Sequence, residues 1–116
     1  MLYNMNKYRA KKVKIDGYTF DSIAESRYYL ILKNDPNVDQ KTLEVHPSFQ
    51  IEHNGMKICK VILDFKYRKK SLTNRINPFI FVDVKGRDLP ISRLKRKLVK
   101  AFHDVDVVII PAKDLR

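Results

Sequence analysis

Three residues in the second half of the chain have the types and spacing that phosphoryl chemistry uses. Asp83 and Lys85 are two residues apart, so on a β-strand they point to the same face. Asp64 lies in the preceding alternating segment. A symmetric connection between the two strands would set Asp64 opposite Asp83, with Cβ atoms about 4.5–5.5 Å apart. Two ionised carboxylates at that spacing repel each other, so the sequence must provide a remedy.

Three remedies are open. Burial and repulsion can raise the pKa of one acid. A Mg²⁺ ion can take one or two carboxylates together with waters and phosphate oxygens. Lys66 or Lys85 can form simple salt bridges with the acids. With a metal ion, Lys85 would hold a scissile phosphate and stabilise charge in the transition state, while the ion activates the attacking water. By itself the Asp-x-Lys pattern fits an exposed ion pair equally well.

The charge balance favours a polyanionic partner. The 116 residues, of which 44% are hydrophobic, suffice for one domain with a core. Lysine and arginine number 24 against 13 acids, which gives a net charge of +11. A domain this basic most often binds nucleic acid. An acidic protein partner would also account for the charge, as would a need for solubility alone.

Several classes of protein are disfavoured. Cys59 is the single cysteine and lies in an apolar run, so we expect a core residue and no disulfide framework. No segment approaches the about 20 apolar residues of a membrane span. The N-terminus has no apolar signal core. We therefore expect a cytoplasmic protein with no membrane partner.

Periodicity predicts a single domain over residues 11–116, preceded by a flexible basic arm at 1–10. A hairpin is predicted over 11–20 with Asp16-Gly17 at its turn, and a helix over 22–33. Ser22 is its predicted N-cap in a capping box with Glu25. One stripe of this helix is Ala24, Tyr28 and Ile31.

Three strands are predicted at 43–52, 56–69 and 78–84, with the turn Asn54-Gly55 between the first two. A helix follows at 92–103 with Ser92 as N-cap, and a strand at 105–110. On the third strand Ile80, Val82 and Val84 form the predicted core face, and the opposite face carries Phe79, Phe81, Asp83 and Lys85. The strand, helix and strand over 79–110 predict a parallel βαβ unit. The fold class is therefore α/β (α+β), with a mixed sheet flanked by helices and an N-terminal β-hairpin.

The chain resembles the PD-(D/E)XK nuclease superfamily. Asp64 followed by Asp83-Val84-Lys85 is similar to its motif, and the upstream helix carries Glu25. The order helix, three strands, helix, strand is similar to its restriction-endonuclease-like αβββαβ core. A closer resemblance, over nearly the whole chain, is to a family of small phage-encoded proteins long catalogued only as a domain of unknown function. Its segments are Asn6-Lys7-Tyr8-Arg9-Ala10-Lys11-Lys12, Gly17-x-x-Phe20-Asp21-Ser22-x-x-Glu25, Asp64-Phe65 and Asp83-Val84-Lys85-Gly86.

This resemblance implies a phage or prophage DNA endonuclease in the host cytoplasm, acting on branched, recombination or replication DNA. It implies that Asp64, Asp83 and the Val84 carbonyl ligate Mg²⁺ or Mn²⁺, and that Lys85 is the catalytic lysine. Glu25 would complete the site directly or through water. Two positions depart from the pattern: Leu63 replaces the proline, and Asp83 stands where glutamate is commoner.

Two assignments stay open from the residues themselves. Glu25 fits the metal site and also fits a purely structural capping role, in which its carboxylate accepts the Ser22 backbone N–H. His46, His53 and His103 have no metal-ligand spacing, so we expect surface or satisfied histidines.

Basic residues around the predicted site suit phosphate contacts, although a solvated surface is the simpler alternative. The candidates for nucleic-acid binding are Lys11, Lys12, Lys66, Arg68, Lys69, Lys70, Arg87, Arg93, Lys97 and Lys100. We therefore predict a metal-dependent DNA endonuclease. Since one small domain offers one site, cutting two strands predicts a homodimer. The rival prediction is a non-catalytic nucleic-acid-binding protein on a nuclease-like scaffold.

Overall fold

The computed structural model describes residues 11–72 and 79–116. The predicted arm at 1–10 and residues 73–78, which include the first residue of the strand predicted at 78–84, lie outside the described residues. In chain order the elements are β1 (Val13–Ile15), β2 (Tyr18–Phe20), α1 (Ile23–Asn34), β3 (Val38–Val45), β4 (Ser48–His53), β5 (Met56–Ile62), β6 (Phe65–Lys69), β7 (Phe79–Lys85), α2 (Pro90–His103) and β8 (Val107–Pro111). Short 3-10 turns follow β6 (Lys70–Leu72) and β8 (Ala112–Leu115).

The sheet has the predicted mixed architecture. Four strands form it in the order β3-β6-β7-β8, with antiparallel pairs up to β7 and a parallel pair from β7 to β8. The predicted α/β (α+β) class, the N-terminal hairpin β1-β2 and the helix–three strands–helix–strand order are thus confirmed. One addition interrupts that order. The antiparallel hairpin β4-β5 forms a separate two-stranded sheet between β3 and β6.

The two predicted strands at 43–52 and 56–69 are each broken, which corrects the sequence expectation. The first breaks at His46, whose φ is 58°, and at Pro47, which lacks an N–H for a ladder. The second breaks at Leu63 and Asp64. Two backbone hydrogen bonds join the breaks: the His46 N–H donates to the Asp64 carbonyl and the Leu63 N–H to the Pro47 carbonyl, both at 2.9 Å. The chain therefore leaves the main sheet and re-enters it at one place.

Both faces of the main sheet are buried. On one face Phe65, Tyr67 and Val82 join a core with α1 and the N-terminal hairpin. On the other, Phe81 joins a second core with Val99 of α2 and the inner side of hairpin β4-β5. The face with Phe79, Phe81, Asp83 and Lys85, which we expected to lie away from the core, thus has a core of its own. Asp83, the acid on this face, is consequently removed from bulk water.

Helix α1 begins as predicted but is rotated about its axis. The Ser22 hydroxyl accepts the Glu25 N–H at 3.0 Å, which confirms the N-cap. The predicted stripe is wrong, since Ile31 is 51% exposed. Tyr29 is buried instead: its ring packs against Phe20 at 5.1 Å between centroids, in an aromatic pairing that adds about 0.5–1.5 kcal/mol to burial. The rotation also buries Glu25.

Helix α2 begins two residues before its predicted start. Leu89 is the N-cap and Pro90 occupies the first helical position, where its missing N–H costs nothing. Ser92 therefore lies inside the helix and is not the N-cap we predicted. Val99 is its one fully buried residue among those described, whereas the large apolar residues Leu94 and Phe102 are exposed. No helix of the described residues is long and apolar enough to cross a membrane.

Candidate active site

The break before β6 sets Asp64 beside the end of β7. Strands β6 and β7 pair from Phe65 opposite Val82 to Arg68 opposite Phe79, so one further step along the same register sets Asp64 opposite Asp83. The Asp64 carboxylate accepts the Val84 N–H at 2.7 Å. The Asp64 N–H in turn donates to the Asp83 carboxylate at 3.1 Å. The backbone of the sheet thus fixes both acids.

Asp83 and Lys85 form an ion pair on the α2 side. The Lys85 Nζ lies 3.3 Å from Asp83 Oδ2, and the Asp83 side chain is 7% exposed. Burial raises the pKa of Asp83, and the ammonium of Lys85 opposes that rise. Lys66, the other expected partner, lies instead over the Phe79 ring at 4.4 Å and 4.0 Å from Glu44. Of the two salt bridges considered from the sequence, the structure contains the one to Lys85.

Asp64 experiences the least favourable environment of the acids. Burial raises its pKa to about 8, and the neighbouring Glu25 carboxylate contributes to the rise, while the Val84 N–H opposes it. A carboxyl group with such a pKa is protonated at neutral pH unless a cation compensates for its charge. The raised pKa considered from the sequence is therefore present together with the ion pair.

Glu25 takes part in both helix capping and the site. Its Oε2 accepts the backbone N–H of Asp21 at 3.2 Å, and its Oε1 lies 2.7 Å from Nε2 of His46. The capping bond goes to Asp21, one residue before the N-cap, and not to Ser22 as the sequence predicted. Glu25 therefore does more than cap the helix, because its Oε1 lies close to His46 and both residues lie close to Asp64.

His46 is the residue that sequence reasoning missed. We expected a surface or satisfied histidine, yet ligand atoms of Glu25, His46 and Asp64 all lie within 4.8 Å of one another. The left-handed backbone at His46 turns the chain into the hairpin and brings the imidazole to Glu25. The available signal was the His46-Pro47 pair, because histidine tolerates positive φ and proline ends a ladder.

The structure thus divides the predicted acids into two groups. Glu25 and Asp64 share one group with His46, on the α1 side. Among the residues described, Asp83 lies outside that group and pairs with Lys85. Val84 lies between the groups, and its N–H holds Asp64. The two groups meet at the end of β7.

On the α2 side a recess of about 210 Å³ opens at the ion pair, and we name it the basic recess. It is lined by residues of β5 and the strand break after it, of β7 and of α2: Lys60 and 61–63, Asp83 and Lys85, and Ser92, Lys95 and Arg96. An adjoining groove of about 300 Å³ lies between α2 and the start of β8 and shares Arg96 with the recess. It contains three of the predicted phosphate-binding residues, Arg93, Lys97 and Lys100.

The remaining predicted basic residues lie elsewhere. The far end of β6 and the turn after it carry Arg68, Lys69 and Lys70. At the usual rise per strand residue these lie about 13–20 Å from Asp64 along the chain. Arg68 is also paired with Asp39 at 3.4 Å. Lys11 and Lys12 precede β1, where Lys12 lies 3.9 Å from Asp21. Arg87 is exposed in the turn before α2. The residues at the end of β6 therefore do not border the acids.

A family model described as a protein of unknown function (DUF1064) matches residues 5–114. The chain belongs to this family. No match was found among curated proteins or solved structures. The description of DUF1064 assigns no activity, so for this DUF1064 protein the resemblance to PD-(D/E)XK nucleases stays a prediction that rests on its residues.

Proposed function

We propose that this DUF1064 protein is a metal-dependent DNA endonuclease that hydrolyses phosphodiester bonds. The observation that carries the proposal is the convergence of Glu25, His46, Asp64, Asp83 and Lys85 at one end of the sheet. These groups are drawn from α1, from the two strand breaks and from β7. Buried acids are costly, and nothing in the packing of the two cores requires them here.

The side chains present fit a divalent cation. Two carboxylates and one imidazole offer ligand atoms within 4.8 Å of one another, and a cation there would favour the ionised form of Asp64, whose pKa is raised by burial and by the Glu25 charge. Carboxylates suit Mg²⁺ and Mn²⁺, whereas an imidazole ligand favours the transition metal. We therefore propose Mn²⁺ ahead of Mg²⁺. When bound, the ion would lower the pKa of a water molecule and polarise a phosphoryl oxygen.

The protein's own groups would orient the reactants. The Val84 N–H holds the Asp64 carboxylate in one orientation, and Asp83 holds the Lys85 ammonium at the mouth of the basic recess. A fixed cation at that point stabilises negative charge as it develops on a phosphoryl oxygen. The preorganisation matters because a fixed group needs no costly reorientation during the reaction.

The net charge of +11 and the lysines and arginines along α2 support nucleic acid as the substrate. The resemblance to phage-encoded proteins supports branched, recombination or replication DNA. A homodimer would supply the second site that cutting of two strands needs, and light scattering of the protein with and without DNA would detect it.

A non-catalytic nucleic-acid-binding protein is the second candidate. One observation favours it: the acids are already satisfied without an ion. Asp83 is paired with Lys85 and accepts the Asp64 N–H, and Asp64 is neutral near pH 7 when its pKa is about 8. Such a site could bind phosphate without cutting.

Cleavage assays separate the two candidates. The substrates are labelled four-way junction, flap, duplex and single-stranded DNA, each with Mn²⁺ or with Mg²⁺. Each is incubated with the wild-type protein, with the Asp83→Asn variant or with the Lys85→Ala variant. We expect cleavage by the wild-type protein only, with a loss of about 10³-fold in the variants and DNA affinity within a few fold.

Glu52→Gln and Lys57→Ala are matched controls, because both residues are exposed on hairpin β4-β5 and neither lines the recess. Wild-type protein that binds every substrate and cuts none with either ion would refute the endonuclease and support the second candidate.

A further inference from the structure

The basic recess contains more positive charge than the ion pair at its mouth requires. Lys60 comes from β5, Lys85 from β7, and Lys95 and Arg96 from α2, so three elements of the fold converge there. Asp83 is the one carboxylate among the described lining residues, and Lys85 already pairs with it. The recess therefore has an excess of positive charge directly beside the proposed reaction centre.

Arg96 is held in place by the turn before α2. Its two terminal nitrogens donate to the two carboxylate oxygens of Asp88 at 2.9 and 2.6 Å. Arg93 donates to the Asp88 carbonyl at 2.6 Å, which anchors the same turn. A bidentate pair fixes the plane of a guanidinium, and the Arg96 side chain is only 17% exposed. The Arg96 side chain is therefore a fixed part of the lining of the recess.

Lys60 and Lys95 have no such partner. Across residues 11–72 and 79–116, no carboxylate oxygen lies within 4.0 Å of either ammonium. Two lysines without a carboxylate partner that line one concavity attract an anion, because low-dielectric walls focus their field.

The dimensions and lining of the recess indicate which part of a nucleic acid would enter. Its volume of about 210 Å³ is below the about 300–1,000 Å³ of pockets that enclose drug-sized ligands. None of its described lining residues is aromatic, so it offers no ring for a base to stack on. Both features suit a phosphate group with part of its sugar, and not a nucleobase.

We propose that the basic recess, through Lys60, Lys95 and Arg96, binds the phosphate group that neighbours the scissile phosphate of a DNA strand. The inference rests on the proposed function, since Lys85 and Asp83 define where the scissile phosphate would lie. The phosphate has two possible sources: an internal phosphodiester of a continuous strand, or a terminal monoester at a strand end.

A binding experiment tests the recess independently of cutting. The affinity of a short single-stranded oligonucleotide is measured without metal ion for the wild-type protein, for the double variant Lys60→Gln/Lys95→Gln and for the control Lys41→Gln/Lys57→Gln. The control removes the same charge from exposed positions outside the recess. We expect about a tenfold greater loss in the recess variant than in the control.

The source of the phosphate is identified with the same proteins. If a strand end is bound, a 5′- or 3′-phosphate on the oligonucleotide will increase wild-type affinity and not that of the recess variant. If an internal phosphate is bound, a single neutral methylphosphonate beside the cut position will slow wild-type cleavage about tenfold and leave the recess variant unaffected by the same change.

The outcomes distinguish the two proposals. A recess variant that matches its control in both binding and cleavage overturns the phosphate site, even if the wild-type protein cuts DNA well. Wild-type protein that cuts nothing refutes the endonuclease, while the difference between recess variant and control still decides whether the recess binds phosphate.

Discussion

The two faces of the main sheet contribute opposite charges to the candidate site. The α1 face supplies the buried acid Glu25, with His46 and Asp64 beside an aromatic core. The α2 face supplies one buried acid, Asp83, and a larger number of exposed or half-exposed cations around Lys85. The acids are fixed by backbone hydrogen bonds, whereas most of the cations keep contact with water. Under the proposed function, the α1 face would supply metal ligands, and the α2 face would supply Asp83 and Lys85 together with the cations that bind the substrate.

Glu25→Gln should have the largest effect on the α1 face. It removes one charged ligand but leaves an oxygen that can accept the Asp21 N–H, so we expect cleavage to fall by at least about 10²-fold with little change in melting temperature. The opposite pattern is expected for Ser22→Ala, which should cost about 1 kcal/mol of stability and retain activity. If the Glu25→Gln variant cleaves DNA as fast as wild type but has a lower melting temperature, the role of Glu25 is helix capping alone.

His46→Ala should change which metal ion works. We expect the Mn²⁺ concentration for half-maximal cleavage to rise about tenfold or more, with a smaller change for Mg²⁺, because the imidazole nitrogen is the ligand that favours Mn²⁺. His53→Ala on the exposed tip of hairpin β4-β5 is the control. Equal changes for the two ions would show that His46 acts by packing and not by ligation.

Asp64→Asn should stabilise the metal-free protein at high pH. The pKa of Asp64 is raised to about 8 in the folded chain, above about 3.9 when unfolded. The folded state therefore binds this proton more tightly, and its contribution to stability is full below about pH 4 and lost as the pH rises through 8.

The amide of the variant keeps an acceptor for the Val84 N–H and cannot ionise. At pH 9 with a chelator we expect Asp64→Asn to melt at least about 4 °C above wild type, because about 1 kcal/mol already shifts the melting temperature by about 4 °C in a domain of this size. At pH 4 the difference should vanish. Melting curves that keep the same difference from pH 4 to pH 9 would contradict the raised pKa.

The smallest effect is expected on the α2 face. Arg93→Gln with Lys97→Gln should reduce the slope of log affinity against log salt by about 1.4–1.8, since each removes one phosphate contact. Lys69→Gln with Lys70→Gln at the far end of β6 removes the same charge away from the acids and should change the slope less. Equal slopes for the two pairs would show that DNA does not follow α2.

The sequence predicted that Asp64 lies opposite Asp83, because a symmetric connection between two strands sets their register, which β6 and β7 have. Alternation did not reveal the face of Asp64, which joins Glu25 and His46 on the α1 side, whereas Asp83 pairs with Lys85 on the α2 side. The same rules failed where the chain changes sheets. Val61 and Phe65 have the same parity, yet they belong to different cores. The alternation of apolar residues along the sequence continues through the strand break, so it cannot reveal where the break lies.

The helices show a similar limit. Ser22 was recognisable as an N-cap from local chemistry alone, and Pro90 was an equally local start signal for α2 that the choice of Ser92 overlooked. The rotation of α1 was not local. It depends on Tyr29 reaching Asp16 of the N-terminal hairpin with a 2.6 Å hydrogen bond, a contact between segments whose relative placement only the fold determines. The proximity of His46 to Glu25 has the same origin.

The two hydrogen bonds between the breaks at 46–47 and 63–64 close a ring in the backbone just where hairpin β4-β5 departs from the main sheet. Only the tip of the hairpin can change in length without shifting the sheet, because Ile51 and Val61 nearer the ring belong to the second core and Lys60 lines the basic recess. Under the proposed function, insertions or exchanges at its Asn54-Gly55 tip would alter which DNA shapes the protein binds while the acids and Lys85 stay in place.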